Sequence, residues 1–296
     1  MSLVLTEQSH ARDGVSLVRA KGELRSALVA ARRAGRAIGL VPTMGSLHEG
    51  HLSLLRAARA ECDLVVMSLF VNPAQFGPGE DLERYPRDEQ RDAGLASEAG
   101  VDLVYAPPVA QVYPDGFSTA VEAGDLTEVL CGDPSHRGPG HFRGVATVVA
   151  KLLNSVQPDV AYFGQKDAQQ LAVIRRIVRD LDIPVRIEAL PIVREADGLA
   201  MSSRNAYLSP AERRRATALS RALRAVERVA GEGSLAAALE AGRRELEAAG
   251  IEPEYLEARD PESLEPVAEL SGRPVLVAVA ADVGAARLID NVLIRP

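Results

Sequence analysis

Cysteine and lysine are both scarce in this 296-residue chain, and each scarcity is informative. Cys62 and Cys131 are the only cysteines, and two cysteines so far apart form neither a disulfide framework nor a metal cluster. A reduced, cytoplasmic setting therefore fits the chain best. Lysine occurs only at positions 21, 151 and 166, and arginine supplies nearly all of the positive charge. A lysine inside a motif is consequently more noticeable here than in most proteins.

Long apolar runs are also missing. Glycine, proline or charged residues break the longest apolar stretches, so that none approaches the roughly 20 residues of a membrane span. The first residues lack a basic segment followed by an apolar core, and we expect no secretory signal. The net charge of -7 argues against a general nucleic-acid surface, but it does not exclude a small anionic substrate.

The most familiar nucleotide and nucleophile motifs are absent as well. There is no Gly-x-x-x-x-Gly-Lys-Ser/Thr phosphate loop and no Gly-x-Ser-x-Gly elbow. The segment from Gly138 to Gly144 resembles a dinucleotide fingerprint, but its last spacing is one residue too long and no strand clearly precedes it. What remains is an ordinary globular composition, 47% hydrophobic and 25% charged, at a length that favours two domains.

The first two-thirds of the chain alternates between strand-like and helix-like segments. Strands are predicted at 37–41, 63–71, 101–105, 160–163 and 185–190, and helices at 24–33, 51–61, 87–99, 144–156 and 167–181. Repeated β–α units predict an α/β fold with a parallel sheet covered by helices. Ligands of such sheets bind beyond the carboxyl ends of the strands.

The last third has a different character. Ser209 to Glu212 form a capping box with Pro210 at the first helical position, which predicts a helix to about residue 230. A second helix is predicted at 235–249, and strands of a small sheet at 254–258, 274–281 and 286–294. We therefore predict a first domain of residues 1–190 and a smaller α+β domain of residues 191–296.

Two histidines lie where the first predicted strand passes into a helix. They belong to the segment Pro42-Thr43-Met44-Gly45-Ser46-Leu47-His48-Glu49-Gly50-His51. A helix N-terminus offers unpaired N–H groups and a positive dipole end, which together suit phosphate. The alternatives are a pair of surface or core histidines and, less favoured, a zinc site. The spacing is one residue shorter than His-Glu-x-x-His, and no third ligand follows at a suitable interval.

Two later segments have the composition of phosphate sites. Gly164-Gln165-Lys166-Asp167 follows a short strand and opens a helix, so that Lys166 is placed to pair with phosphate; the alternative is a solvated lysine at a helix start. Met201-Ser202-Ser203-Arg204 offers two hydroxyls, a guanidinium and free backbone N–H groups; the alternative is a domain linker. His48, His51, Lys166, Ser202, Ser203 and Arg204 are the candidate catalytic residues.

Amide side chains mark a candidate substrate site. Asn72 and Gln75 follow the second buried strand, Tyr85 extends the same loop, and Gln170 lies on the helix after Lys166. Amides both donate and accept hydrogen bonds, which suits a small substrate with hydroxyl and carboxylate groups. The alternative for each is an ordinary loop or helix-surface residue.

Taken together and in this order, the segments closely resemble the pantoate–β-alanine ligase (pantothenate synthetase) family of the nucleotidyltransferase superfamily with paired motif histidines. The likeness extends over about residues 16–296 and is densest between 41 and 208. It is carried by the segments Pro42–Gly45, His48–His51, Phe70–Phe76, Glu80–Leu82, Tyr85–Arg87, Gly140–Val145, Phe163–Asp167 and Ala196–Asn205.

The resemblance implies that residues 1–190 form a Rossmann-like catalytic domain and that the C-terminal domain closes over the active site. It also implies a homodimer and a two-step reaction. Pantoate is adenylated by ATP with loss of pyrophosphate, and β-alanine then displaces AMP to give pantothenate. The ATP contacts implied are Pro42, Met44, Gly45, Ser46, Leu47, His48, Glu49, Gly50, His51, Gly164, Gln165, Lys166, Asp167, Val193, Met201, Ser202, Ser203 and Arg204. Gln75 and Gln170 are implied as pantoate contacts, and Gln75 also for β-alanine.

The resemblance also implies Mg²⁺, which we expect to enter bound to ATP and to have few protein ligands. Asp88, Glu89 and Asp92 are expected to face solvent. Gln165 stands where the family pattern has glutamate, and the segment 131–140 is longer and more polar than the pattern. Two other functions are considered: another nucleotidyltransferase, such as a cytidylyltransferase, and a nucleotide-sensing protein that has lost catalysis.

Overall fold

A computed structural model describes residues 14–231 and 233–295 of the chain. Residues 1–13, which include the N-terminal segment inspected for a signal and the start of the predicted first domain, lie outside the described residues, as do Glu232 and Pro296. No helix within the described ranges is long and apolar enough to cross a membrane.

The predicted α/β fold with a parallel sheet is confirmed. Six strands pair in the order β1-β4-β3-β2-β5-β6, and every pair is parallel. The strands are β1 (Ser16–Val18), β2 (Ile38–Thr43), β3 (Leu64–Leu69), β4 (Leu103–Tyr105), β5 (Val160–Gly164) and β6 (Arg186–Leu190). Strands β3 and β4 follow β2 on one side of it in the sheet, and β5 and β6 lie on its other side. The carboxyl ends of β2 and β5 therefore flank the topological switch point, where ligands bind in such sheets.

Helices cover both faces of this sheet. They are α1 (Lys21–Arg33), α2 (Glu49–Glu61), α3 (Glu89–Glu98), the single turn α4 (Val109–Val112), α5 (Pro139–Val156) and α6 (Ala168–Asp180). Most predicted bounds differ from these by one to three residues. Three differences are larger. Neither β1 nor the single turn α4 was predicted, because segments of three or four residues carry no pattern, and α5 begins five residues before the predicted Gly144.

The C-terminal part is a three-stranded antiparallel sheet with two helices on one face. Its elements are α7 (Pro210–Ala230), α8 (Leu235–Ala248), β7 (Tyr255–Arg259), β8 (Val275–Val283) and β9 (Ala286–Ile294), and the strands pair in the order β7-β8-β9. The predicted α+β character is confirmed. The division into domains at residues 190 and 191 stays a prediction.

Alternate residues of the central strand β8 join different cores. Val275, Val277 and Val279 pack with α7 and α8, whereas Leu276 and Ala278 pack into the core that α5 and α6 form on the parallel sheet. Successive side chains of a strand point to opposite faces, so β8 is apolar throughout because both of its faces are covered. The small sheet is thus held against the carboxyl-end side of the parallel sheet.

Candidate active site

The turn between β2 and α2 is fixed by a carboxylate that the sequence did not reveal. Gly45 and Ser46 adopt φ values of 87° and 53°, and the N–H groups of Ser46 and Leu47 each donate to Asp92 at 2.8 Å. Asp92 was predicted to face solvent, and this was wrong: it is 1% exposed. The charged side chain is kept buried because two backbone donors satisfy it. It serves the turn rather than a metal.

His48 and His51 lie side by side at the start of α2. His48 is the N-cap, and its ring centroid lies 4.1 Å from that of His51. The Nδ1 atom of His51 accepts from the backbone N–H of His48 at 3.4 Å, which leaves the proton of the neutral ring on Nε2. A Cβ atom at Gly50 would lie 2.9 Å from the ring of His48, so glycine at this position permits the packing.

Both imidazoles are neutral near pH 7. Burial, followed by the positive charge of Lys166, lowers the pKa of His48 to about 4. Burial, followed by the charges of His48 and Lys166, lowers the pKa of His51 to about 3. A neutral imidazole still donates one N–H, so the pair can bind phosphate oxygens through hydrogen bonds rather than as cations.

Lys166 lies at the end of β5, next to β2 in the sheet. Its ammonium is 3.7 Å from Asp167 and has no hydrogen bond to any other described residue. The amide of Asn291, on β9, donates to the backbone carbonyls of Gln165 and Lys166 at 2.9 and 2.8 Å. The lysine is therefore a nearly unpartnered cation on a turn whose backbone is held from the C-terminal sheet.

The segment 201–204 also contacts the histidine turn. The hydroxyl of Ser203 donates to the carbonyl of Ser46 at 3.3 Å. Arg204 was predicted as a donor to phosphate, but its Nε and Nη2 atoms already donate to Asp81 at 3.0 and 2.9 Å. Its Nη1 atom is the part of the guanidinium that Asp81 does not engage.

These three segments line one cavity of about 220 Å³ at the switch point. The predicted residues on its wall are Pro42, Met44, His48, Gly50, His51, Asn72, Gln75, Tyr85, Gly164, Lys166, Asp167, Gln170, Val193, Met201, Ser202, Ser203 and Arg204. The predicted ATP contacts that do not line it are Gly45, Ser46, Leu47, Glu49 and Gln165. Leu47 is buried beneath the turn, and Glu49 is paired with Arg56.

Gln75 and Asn72 differ in how many of their amide hydrogen-bonding positions remain available to a ligand. The Nδ2 atom of Asn72 donates to Gln75 Oε1 at 3.0 Å and to the Gly144 carbonyl at 3.1 Å. Its Oδ1 atom accepts from the Ala74 N–H and from the Tyr113 hydroxyl at 3.3 and 2.8 Å. All four hydrogen-bonding positions of Asn72 are used within the protein, so it orients Gln75. The Nε2 atom of Gln75 contacts the sulfur of Met44 at 3.1 Å and has a second hydrogen to offer.

The apolar wall of the cavity was missed in the sequence. Val145, Val148, Val149 and Leu152 of α5 line it at helical spacing. The same spacing is typical of a helix face buried in a core, and sequence alone gives no means of separating the two. Such a wall suits the apolar part of a small substrate and keeps water from a reactive intermediate.

A partly buried chain of polar side chains supports the loop bearing Gln75. The Nδ1 atom of His141 lies 2.7 Å from the backbone carbonyl of Gln75, and its Nε2 atom lies 3.2 Å from Arg137. Arg137 in turn forms an ion pair with Glu80. Because arginine only donates, Nε2 of His141 accepts and Nδ1–H donates to the carbonyl.

A second cavity of about 270 Å³ adjoins the first and reaches the C-terminal sheet. Lys166, Asp167, Gln170, Ser202 and Arg204 line both cavities and form the partition between them. In the described part of the chain, no group of three or more His, Cys, Asp or Glu residues could hold a metal ion. The histidine pair therefore lacks the further ligands that a zinc site requires.

Comparison with known proteins gives a consistent result. Residues 16–293 match the model of the family described as pantoate-beta-alanine ligase. The chain is 54% identical over 284 residues to the pantothenate synthetase of Moorella thermoacetica, with 95% of this chain and 99% of the relative covered. It is 58% identical over 262 residues to that of Acidobacterium capsulatum, with 88% and 86% covered.

Solved structures agree with the sequence comparisons. The pantothenate synthetase of Thermus thermophilus superposes with a TM-score of 0.89 at 51% identity, over 95% of this chain and 99% of that one. The pantoate-beta-alanine ligase of Francisella tularensis, complexed with beta-gamma ATP and beta-alanine, superposes with a TM-score of 0.78 at 32% identity, over 94% and 97%.

Proposed function

This chain belongs to the pantoate–β-alanine ligase family, and from that premise we propose that the cavity at the switch point is where pantoate, ATP and β-alanine react. The reaction is the ATP-dependent condensation of pantoate with β-alanine to pantothenate, through pantoyl adenylate, with release of pyrophosphate and AMP. One observation carries the assignment of the site. Two neutral imidazoles from the end of β2 and one lysine from the end of β5 face a single cavity.

In the first step the carboxylate oxygen of pantoate attacks the α-phosphorus of ATP, and the bond from that phosphorus to the pyrophosphate oxygen breaks. Negative charge grows on the phosphate oxygens and on the leaving group. His48, His51 and Lys166, with the hydroxyls of Ser202 and Ser203, are donors fixed in advance around that charge. Stabilisation by preorganised donors of this kind provides most of the rate enhancement in phosphoryl-type transfer.

In the second step the amine of β-alanine attacks the acyl carbon of the adenylate, loses a proton, and displaces AMP. Gln75 and Gln170, which both line the cavity, bind the hydroxyl or carboxylate oxygens of pantoate in this proposal. The valines of α5 and Leu152 contact the dimethyl part of pantoate and exclude water from the adenylate. No side chain needs to form a covalent intermediate.

Mg²⁺ is proposed to arrive as part of the MgATP substrate. The described residues around the cavity offer Asp167 but no cluster of carboxylates to hold a divalent ion by themselves. An ion of this kind keeps most of its waters and binds phosphate oxygens. The proposal predicts that ATP and Mg²⁺ are required together, and that Mg²⁺ alone does not raise the melting temperature.

Three further proposals rest on the family and on the fold. We propose a homodimer, which size-exclusion chromatography with light scattering would test. We propose a cytoplasmic setting, supported by Cys62 and Cys131 being buried free thiols. We also retain the two domains, 1–190 and 191–296, supported by the core that residues 199–294 form among themselves.

The experiment that tests the function is incubation with MgATP, pantoate and β-alanine. We expect pantothenate with one AMP per product. AMP release that needs neither pantoate nor β-alanine would overturn the proposal. Nucleotide transfer from CTP to another acceptor would favour the cytidylyltransferase alternative, and ATP binding without turnover would favour the sensor.

A further inference from the structure

Asn291 belongs to the small C-terminal sheet, yet both hydrogens of its amide are donated to the turn that carries Lys166. The side chain is buried, and Nδ2 donates one hydrogen to each of the carbonyls of Gln165 and Lys166. These two carbonyls lie between the end of β5 and the first residue of α6, where the chain reverses direction. The contact thus fixes the backbone from which the lysine side chain extends.

The neighbouring residue of β9 holds the other phosphate-facing segment. Asp290, whose side chain is 2% exposed, accepts from two nitrogens of Arg194 at 2.6 and 3.0 Å. Arg194 follows Val193, whose carbonyl accepts from the N–H of Met201 at 3.0 Å. Adjacent residues of one strand therefore hold both the Lys166 turn and the segment that leads to Ser202.

We propose that Asn291 is a positioning residue for the adenylation step, acting through Lys166. The ammonium of Lys166 has Asp167 as its one described side-chain partner, so its direction is set chiefly by the backbone of its own turn. When the two hydrogen bonds from Asn291 are lost, the backbone at Gln165 and Lys166 can shift, and the ammonium of Lys166 moves away from the phosphate groups. Displacement of a reacting or stabilising group by about 1 Å can cost on the order of 100-fold in rate.

This inference rests on the proposed function, and it predicts an effect on one half-reaction only. In this inference Lys166 acts on the pyrophosphate portion of ATP, which has left before β-alanine reacts, and the α-phosphate that remains in the adenylate is held by the other donors. Loss of Asn291 should therefore slow adenylation and spare the attack of β-alanine on the adenylate. A residue that merely supported the fold would affect both half-reactions together.

The test compares Asn291→Ala and Asn291→Asp with Val292→Ala. The aspartate keeps the size of the side chain but at neutral pH has no proton to donate to the two carbonyls. Val292 lies on the same strand, packs partly buried in the C-terminal core and lines neither cavity. Val292→Ala therefore shows how much a loss of packing in the same strand affects the rate by itself. The melting temperature is measured for all three variants to compare their stability.

We expect single-turnover formation of pantoyl adenylate to fall by about 10- to 100-fold in both Asn291 variants. Aminolysis of preformed adenylate, and adenylation by Val292→Ala, should stay within about twofold of the wild type. Equal loss in both half-reactions, or the same loss in Val292→Ala, would show a structural role and overturn the proposal. Unchanged adenylation in the Asn291 variants would overturn it as well.

A double-mutant cycle with Lys166→Ala tests whether Asn291 acts through the lysine. In the Lys166→Ala background, Asn291→Ala should slow adenylation no further, since the group that it positions is gone. Independent, multiplying losses would refute the inference while leaving the function intact. A wild-type protein that forms no adenylate, or a Lys166→Ala variant as fast as the wild type, would instead reveal a failure of the proposed function.

Discussion

At the scale of single residues, the protonation state of the two histidines decides how they can bind phosphate. Burial and the nearby lysine keep His48 and His51 neutral, and the bond from the His48 N–H to Nδ1 of His51 leaves Nε2–H as the free donor of His51. Such a donor changes little between pH 6 and 8, because both pKa values lie well below that range. The spacing of the two histidines in the sequence predicts two imidazoles at the site. The structure adds that they act as neutral hydrogen-bond donors with a fixed direction.

Replacement of His51 by alanine tests this role. We expect adenylation to slow on the order of 10²–10³-fold, the usual effect of losing one preorganised donor. The measurement is a single-turnover rate with saturating MgATP and pantoate. His136→Ala is the matched control, since His136 lines neither cavity. A near-normal rate in His51→Ala would contradict the role given to this side chain.

Gln75 is the residue best placed to distinguish pantoate from other acids. Gln75→Ala should lower kcat/KM for pantoate about tenfold or more, since one lost hydrogen bond of ordinary strength accounts for that factor, and it should leave the Kd for ATP nearly unchanged. Initial rates at varied pantoate and an ATP titration measure the two effects. If pantoate kinetics are unaltered, or if ATP binding weakens equally, Gln75 does not hold pantoate.

At the scale of elements, helix α5 and the turn at 72–75 form a single unit. A Cβ atom at Gly144 would lie 2.2 Å from the carbonyl oxygen of Ala74 and 2.6 Å from the backbone nitrogen of Gln75. The helix therefore approaches the turn so closely that only glycine fits. This contact, together with Asn72, sets the position of the Gln75 amide.

Gly144→Ala should accordingly impair pantoate use through the backbone. The added methyl group must displace the 73–75 turn, and we expect the KM for pantoate to rise with a smaller change in ATP affinity. Gly140→Ala is the control on the same helix, because a Cβ atom there meets nothing within 4 Å. Pantoate kinetics that are equal in the two variants would show that the turn does not position Gln75.

The helices and strands also show which features can be predicted from neighbouring residues in the sequence. Strands β2, β3 and β5 were predicted from continuous apolar runs, and α7 from its capping box, because those signals lie within the element itself. Asp92 was misjudged because its partners, the N–H groups of Ser46 and Leu47, lie more than forty residues away along the chain. The sequence predicts Arg204 as a donor to phosphate, and nothing near it in the sequence points to its ion pair with Asp81.

At the scale of the whole molecule, partly buried neutral histidines make the free energy of unfolding depend on pH. His48, His51 and His141 have pKa values lowered by burial to about 4, 3 and 4. In the unfolded chain the same groups titrate near their ordinary value of about 6.5. Below that pH the unfolded state binds more protons than the folded state, so the free energy of unfolding falls as the pH falls.

We therefore expect the urea midpoint to fall between pH 7 and pH 5, and to continue falling toward pH 4. Chemical denaturation at these pH values measures it. Glu80 and Asp81 have lowered pKa values and titrate below this window, so the loss above pH 5 reports the histidines. His141→Gln should reduce the slope, because it removes one of the three groups whose pKa folding lowers. A midpoint that is constant from pH 7 to pH 5 would contradict the burial of neutral imidazoles.

The sequence by itself determined the fold class, the family and the segments that carry the phosphate-facing side chains. Those features depend on apolar periodicity, capping residues and short motifs, and each of these signals involves residues that are close together in the sequence. Only the tertiary structure decided that the ends of β2 and β5 meet at one switch point. Pairing of strands more than a hundred residues apart brings them together. The burial of Asp92 and the hydrogen bonds from Asn291 to the Lys166 turn were decided in the same way, because each is a contact that exists only after the chain has folded.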